Sequence, residues 1–361
     1  MKIIFSGGGT LGPVTPLLAI HESIKEAYPD ASIVWVGTAL GPEKALVQKQ
    51  GIRFVTISSG KFRRYLSPWN LTDILRIIIG FFQSLVLLWK EDPDCCISAG
   101  GFISVPLHTA AWLLGIPTWI HVQDVRPGLA IEFMAPLARL ITVSLKENVK
   151  KFPKRKVVWL GNPVRRSVFS GSRDAGIKRF DLDSALPTVF VLGGGTGSLR
   201  VNQLFAEALG HIAGSCNIIH LSGKERPHEM IDRAATIFPH YHTYQFFTDE
   251  MADAYAVADV VVARAGFGTL AELALLKKAA ILIPKGGHQE ENVDMLIRSN
   301  AALSLNEKAA NGYELAQMIK KLLIDAGKRK QLGDRLHELL PAADTAVIKD
   351  MLKSVVGTNA P

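Results

Sequence analysis

Residues 188–199 read T-V-F-V-L-G-G-G-T-G-S-L, and residues 2–12 read K-I-I-F-S-G-G-G-T-L-G. Each is a short run of strand-forming apolar residues that ends in a glycine cluster, with a helical pattern behind it. In the first case Lys2–Ser6 is the strand, Gly7–Gly12 the turn and Pro16–Ala27 the helix. In the second, Thr188–Leu192 is the strand, Gly193–Gly197 the turn and Leu199–Leu209 the helix. Each opens an alternation of short β runs and helical runs. The predicted strands are Ser32–Val36, Phe54–Ile57, Cys95–Ser98, Thr118–His121 and Leu140–Val143, then Asn217–Leu221, His242–Phe246, Val260–Ala263 and Ala280–Ile283. Unbroken Val/Ile strands between helices mean parallel sheets covered on both faces. The fold class is α/β: two Rossmann-like domains facing across a cleft. The first spans 1–161 and the second 162–343, with a hinge in Lys151–Val168. A final helix, about 344–361, is expected to pack back on the first domain.

Composition agrees with two soluble domains. The chain has 361 residues, 48% of them apolar, and no low-complexity stretch, so disorder is excluded beyond the last few residues. Cys95, Cys96 and Cys216 make neither a disulfide framework nor a metal-ligand spacing, which suits a reducing cytosol. No signal peptide is expected before the first glycine turn, and no run of about 18 uncharged apolar residues predicts a membrane span. The net charge of +8 is uneven: residues 1–161 hold 18 Lys/Arg against 11 Asp/Glu, and the remainder is nearly balanced. A basic first half suggests an anionic surface or ligand there, although mildly basic domains are common. Nucleic acid is not an expected partner.

Gly7, Gly9 and Gly12 satisfy G-x-G-x-x-G, but a dinucleotide site also needs an acidic residue at the end of the second strand. That strand ends Trp35-Val36-Gly37-Thr38-Ala39-Leu40, and the corresponding strand of the second half runs into Ser222-Gly223-Lys224. Neither supplies a carboxylate, so the dinucleotide reading fails. What remains is the backbone chemistry of a glycine turn before a helix, whose free N–H groups attract phosphate. Gly9, Thr10, Leu11 and Gly12 form one candidate phosphate site, and Gly194, Gly195, Thr196, Gly197 and Ser198 the other. The competing reading of both is a turn needed only for packing.

Further along, Val260–Ala263 ends in Arg264-Ala265-Gly266-Phe267-Gly268-Thr269-Leu270-Ala271-Glu272. Thr269 and Glu272 lie one helical turn apart on one face. A carboxylate just inside a helix N-terminus can accept both hydrogen bonds of a ribose diol; equally, it can serve only the helix dipole. Lys285-Gly286-Gly287-His288-Gln289-Glu290-Glu291-Asn292 follows the next strand, at the carboxyl end where open sheets bind ligands. Its amides and carboxylates suit sugar hydroxyls or a solvated loop.

Over nearly its whole length the chain resembles the MurG family of inverting GT-B glycosyltransferases. These move N-acetylglucosamine from UDP-N-acetylglucosamine to undecaprenyl-pyrophosphoryl-MurNAc-pentapeptide (lipid I), in peptidoglycan synthesis. The resemblance rests on Gly161-Asn162-Pro163-Val164-Arg165, on Arg264-Ala265-Gly266…Thr269…Glu272, on His288-Gln289-Glu290-Glu291-Asn292 and on Phe247-Thr248-Asp249-Glu250-Met251. It implies that Thr248 and Met251 lie near the uracil, Glu272 holds the ribose, Gln289 and Asn292 serve the donor sugar, and Arg165 and Asn202 lie at the donor. On the acceptor side it implies Phe102, Ser104 and Gln123. It also implies a peripheral enzyme on the cytoplasmic face of the membrane. No cofactor is implied, and no metal is expected at the transfer site, because helix N-termini and a cation can stabilise the leaving UDP.

The first half departs from the family pattern at the acceptor chemistry. Pro13 stands for the family's histidine, Phe102 for its tyrosine, and His121-Val122-Gln123-Asp124 for H-E-Q-N; in the second half Gly195 stands for a serine. Proline cannot accept a proton. The expected general base is Asp124, with His121 second; structural roles for both, a cap for Asp124 and a strand-end histidine, compete with this. A related transferase with another acceptor, a weakly catalytic nucleotide-sugar binder and a UDP-sugar epimerase are the rival readings.

Residues 71–90 contain an uncharged run, Ile77–Trp89, too short to span a bilayer. It is apolar nearly all round, which argues for burial. Yet Arg63, Arg64, Trp69, Arg76, Trp89 and Lys90 around it are the residue types that anchor a helix on an anionic membrane surface.

Overall fold

The computed structural model describes residues 1–60, 69–224, 226, 229–247 and 249–357. Two compact units emerge, one of Met1–Arg165 with Ala342–Pro361 and one of Arg166–Pro341.

The first unit runs β1 (Lys2–Ser6), α1 (Val14–Ala27), β2 (Ser32–Gly37), α2 (Glu43–Lys49), β3 (Arg53–Thr56), α3 (Trp69–Glu91), β4 (Cys95–Ser98), α4 (Ser104–Leu113), β5 (Thr118–Val122), α5 (Leu129–Met134), β6 (Leu140–Val143) and β7 (Val157–Trp159). Its seven strands are all parallel, in the order β3-β2-β1-β4-β5-β6-β7. The segment expected to be a hinge therefore carries an edge strand, β7. Three residues gave too short a β run to stand out from the lysines around them.

The second unit runs α6 (Arg173–Phe180), β8 (Thr188–Leu192), α7 (Leu199–Ile212), β9 (Asn217–Leu221), α8 (Glu229–Ile237), β10 (Tyr241–Tyr244), α9 (Met251–Val257), β11 (Val260–Ala263), α10 (Phe267–Leu275), β12 (Ala280–Leu282), α11 (His288–Arg298), β13 (Leu303–Ser304), α12 (Gly312–Ile324) and α13 (Ala326–Leu339). Its parallel order, β10-β9-β8-β11-β12-β13, repeats the first. Both sheets thus reverse their winding at one place, between β1 and β4 and between β8 and β11. In open α/β sheets the crevice outside the strand ends at such a reversal is where ligands bind.

The central strands have no exposed residue because helices cover both faces; Val189, Val191, Val260 and Val262 pack against Val201, Phe205 and Ile319. The last helix, α14 (Thr345–Val356), belongs to the first unit. Its Ile348, Leu352 and Val355 join Leu17, Ile20 and Ile24 in one buried cluster. Leu160 lies in the same cluster, and the Ala343 N–H donates to the Asn162 carbonyl, so the returning chain is tied to the segment it left.

Helix α3 is seated along one seam. Asp73, Gly80, Ser84 and Leu88 are buried, at the spacing of one helix face. A Cβ on Gly80 would strike the Ser58 carbonyl, so glycine here permits close approach. The other faces stay apolar and open: Leu75 and Phe82 are each 60% exposed and Trp89 78%. The burial expected from an all-round apolar pattern holds for the seam alone. By length and composition the segment Thr72–Glu91 could also cross a membrane, which the sequence reading did not expect. Lys61, Arg63 and Arg64 lie outside the described residues.

Candidate active site

At the reversal point of the second unit, the turn after β8 is built so that glycine is required. Gly194 and Gly197 have φ of +83° and +74°. A Cβ on Gly193 would strike the Ser198 N–H, and one on Gly197 the Ser222 carbonyl. The turn closes with Gly197 N–H donating to the Gly194 carbonyl at 3.0 Å. Gly195 is exposed, and Gly194 and Thr196 are half-buried, so this side of the turn is open to a ligand. Ser198 is committed elsewhere. Its Oγ caps α7 by accepting the Val201 N–H at 3.3 Å, and it accepts from Arg264 Nε at 2.8 Å. The hydroxyl of the turn that remains for a leaving group is Thr196.

Arg264, absent from the sequence-based site, is the hub of this end of the sheet. Its Nη1 donates to the Ile283 carbonyl at 2.9 Å and to Glu307 Oε2 at 2.8 Å, and its Nη2 to Glu307 Oε1 at 3.1 Å. This forked pair fixes the plane of the guanidinium. The Arg264 hydrogen bonds hold the Glu307 carboxyl below the usual carboxylate range. The next residues lead into α10, where Gly266 and Thr269 are half-buried and Glu272 sits one turn inside with 8% exposure. The buried Tyr255 hydroxyl donates to Glu272 Oε2 at 2.9 Å and orients the carboxylate. Gln289, on the first turn of α11, accepts the Lys285 N–H at 3.0 Å through its Oε1. Met251 opens α9 half-buried; four residues earlier in the chain, Phe247 stands in an aromatic cluster with Phe180, Phe190 and Tyr244. Arg165 is half-buried at the end of the first unit.

Two further donor-side candidates, Asn202 and Asn292, turn inward. Asn202 is 1% exposed; its Nδ2 donates to the Ser222 carbonyl at 3.0 Å, and its Oδ1 is 3.1 Å from His220 Nε2. It braces α7 to the end of β9. Asn292 is fully buried on the inner face of α11. Thr248 lies outside the described residues.

The first unit places its two glycine turns against each other. A Cβ on Gly101 would lie 3.2 Å from the Gly8 carbonyl, and one on Gly9 2.8 Å from the Phe102 ring. Ser104 is fully buried, its Oγ donating to the Ser6 and Gly100 carbonyls, so it packs the turns and does not face an acceptor. Phe102 acts as a lid on Gly9. More important, the Gly9 N–H already has an anion: Glu43 Oε2 accepts it at 3.2 Å. Thr10 and Gly12 are exposed and Leu11 is half-buried, so these three form the accessible rim.

His121 is corrected as a base. It is fully buried in β5, with Nδ1 2.9 Å from Thr142 Oγ1 and Nε2 3.1 Å from Ser144 Oγ. Burial lowers its pKa to about 3, so it stays neutral and has no reach to a substrate. Gln123 is also buried, at 8% exposure. Asp124, half-buried just past β5, has its carbonyl held by Asn148 Nδ2 at 2.9 Å. Among the described residues no group of three or more His, Cys, Asp and Glu could hold a metal ion.

Residues 3–143 match the glycosyltransferase family 28 N-terminal domain, and residues 188–345 match the C-terminal domain of the same family. A transferase of Shouchella clausii, named for moving N-acetylglucosamine from UDP to N-acetylmuramyl-(pentapeptide) pyrophosphoryl-undecaprenol, is 36% identical over 89% of this chain and 90% of its own. The chain belongs to the MurG family. A Clostridium kluyveri protein of the same name is 32% identical over 98% of both chains. The crystal structure of Acinetobacter baumannii MurG superposes with a TM-score of 0.72 at 22% identity, covering 98% of this chain and 99% of that one. The two Rossmann-like domains expected from the two glycine turns, and the GT-B fold that the resemblance implies, are therefore the fold of this MurG relative. It is not specific to transfer: the crystal structure of a UDP-GlcNAc 2-epimerase from Neisseria meningitidis superposes with a TM-score of 0.66 at 12% identity, covering 98% of this chain and 99% of that one.

Proposed function

We propose that the chain is a hexosyltransferase that moves N-acetylglucosamine from UDP-N-acetylglucosamine to lipid I, giving lipid II and UDP with inversion. The observation that carries this reading is the end of β11 and the start of α10. A glycine turn, Thr269 and a Tyr255-oriented Glu272 stand together there, in a chain 36% identical to a named transferase over 89% of its length. Glu272 takes the ribose hydroxyls and Gln289 the sugar. The N–H groups of Gly194–Gly197 and the Thr196 hydroxyl receive the negative charge that develops on the departing diphosphate. Groups fixed in advance at such a position need no reorganisation as charge develops. No metal takes part in this reading.

In the first unit, Asp124 accepts the proton of the acceptor hydroxyl, a role that typically contributes about 10²–10⁴-fold. The test is UDP release with and without lipid I. Release that requires the acceptor, and that falls by about 10²-fold or more in Asp124→Asn with UDP binding unchanged, supports the reading. Acceptor-independent release, or an unchanged Asp124→Asn rate, removes it.

The acceptor is lipid-linked, and the open face of α3 supports a peripheral attachment to an anionic membrane. Between α3 and α4 runs a groove of about 400 Å³ whose lining includes Ile78, Phe82 and Pro106. The Thr109 hydroxyl in that groove donates to the Val105 carbonyl, so it adds no polar demand. Co-sedimentation with anionic vesicles should drop in Phe82→Glu with folding unchanged, since that side chain is already 60% exposed. Equal binding by Phe82→Glu and the parent protein excludes α3 as the contact.

A further inference from the structure

Glu43 is a fully buried carboxylate with no ion pair among the described residues. It is the first residue of α2, where the helix dipole favours negative charge. Its Oε1 accepts the N–H of Thr38 at 2.7 Å and the Thr38 hydroxyl, and its Oε2 accepts the Gly9 N–H. The space around the carboxylate is made by glycines. A Cβ on Gly8 or Gly41 would collide with it, and one on Gly37 would lie 3.2 Å from Oε1. A phosphate-type turn has thus closed around a side chain of its own domain. An ionised group out of water is costly unless hydrogen bonds compensate it. At this position they come from the turn itself, so the charge and the turn geometry hold each other.

We propose that Glu43 is a positioning residue for the acceptor: a built-in anion that sets the Gly7–Gly12 turn and, through it, the exposed rim Thr10–Gly12. This rests on the acceptor being handled by the first unit, as in the reading above. The first glycine turn is then not a diphosphate cradle like the second, and only its rim meets substrate.

The experiment is steady-state transfer by the full chain, with donor and acceptor varied separately. Glu43→Ala should lower kcat/KM for lipid I by about 10²-fold, the scale of an ångström's misplacement, and leave the KM for UDP-N-acetylglucosamine unchanged. Added formate, which fits the vacated carboxylate position, should restore part of the loss. In Glu43→Gln one oxygen becomes an NH₂ facing an N–H or O–H donor, so a smaller loss that formate does not restore is expected. Gly41→Ala leaves Glu43 in place but crowds its carboxylate, and should give the same acceptor-selective loss. Acceptor kinetics of the parent protein in Glu43→Ala and Gly41→Ala would overturn the inference. So would equal losses for donor and acceptor without formate rescue, which mark a merely structural carboxylate. Should Glu43→Ala not fold, the Glu43→Gln and Gly41→Ala kinetics decide alone. A parent protein that transfers nothing to lipid I sinks the functional reading itself, a result separate from any of these.

Discussion

Replacing Arg264 by lysine keeps the charge and most of the volume but removes the fork. The guanidinium makes four hydrogen bonds, to Ser198, Ile283 and both oxygens of Glu307. An ammonium on a flexible stem can keep one of those to Glu307 or the Ile283 carbonyl, but has no group at the Nε position to hold Ser198. Hydrogen bonds to charged groups contribute about 1.5–3 kcal/mol each. Glu307 is 28% exposed, so water replaces part of what it loses. The Ser198 bond is buried and is not replaced. A net loss of about 2–3 kcal/mol for the second unit follows, with a fall in its melting temperature of roughly 5–10 °C for a unit of this size. Because Ser198 caps the helix behind the glycine turn, UDP affinity should fall about tenfold, equal to about 1.4 kcal/mol. Calorimetry reads both quantities. The pH dependence adds a check. The Glu307 carboxyl is held low by Arg264, so its contribution is present above its ordinary value near 4.5 and is lost as pH falls through the lowered folded value. The lysine variant should show less of that acid loss. Arg264→Lys with the parent's melting temperature and UDP affinity would refute the argument that this fork holds the turn.

Tyr255→Phe deletes the hydroxyl that orients Glu272, and should weaken UDP binding by about tenfold in calorimetry while leaving lipid I KM unchanged; equal loss for both substrates would place Glu272 outside the ribose site. His108, His121 and His220 are each fully buried, and burial lowers each pKa to about 3, against 6.5 unfolded. Below pH 6.5 the unfolded chain binds protons that the folded chain does not, so stability is full above that value and is lost as pH falls toward the folded value. At pH 5.5 each histidine costs about 1.4 kcal/mol. The first unit, with two of them, should lose more than the second, since burial also lowers one further histidine in each, His21 and His242; imidazole NMR signals of the three buried rings titrating near 6.5 in the folded protein would contradict this.

The architecture was legible because it rests on local signals. A strand ending in glycines and followed by a helix occurs twice, and Val/Ile runs without polar alternation already demand sheets covered on both faces. Two parts of the sheets were not readable. β7 and β13 are three and two residues long, and only pairing with β6 and β12 makes them strands. In the candidate site, the helix starts that carry Glu272 and Gln289 were readable because a glycine turn directly precedes each in sequence. Glu43 was not: its partners Gly9 and Thr38 lie on two different strand ends, and nothing in Gly41-Pro42-Glu43-Lys44 marks a carboxylate folded inward. Tyr255 and Arg264 were missed for the same reason, since their partners are 17 and 43 residues away. His121 was misread because position at a strand end does not tell which way a side chain points, and Ser104, given by the resemblance alone, opens α4 with its hydroxyl turned onto the Ser6 and Gly100 carbonyls. At the β5 end the imidazole turns into the sheet, toward Thr142 and Ser144.

The two glycine turns look alike in sequence, but only the one after β8 is open, because Glu43 already holds the other. Crystals of the full chain soaked with UDP test this directly. The account predicts the ribose at Glu272 and the diphosphate along Gly194–Gly197, with the Gly7–Gly12 turn still closed on Glu43. UDP bound at Gly7–Gly12 with the Glu43 carboxylate displaced, or no UDP beside Glu272, would contradict it.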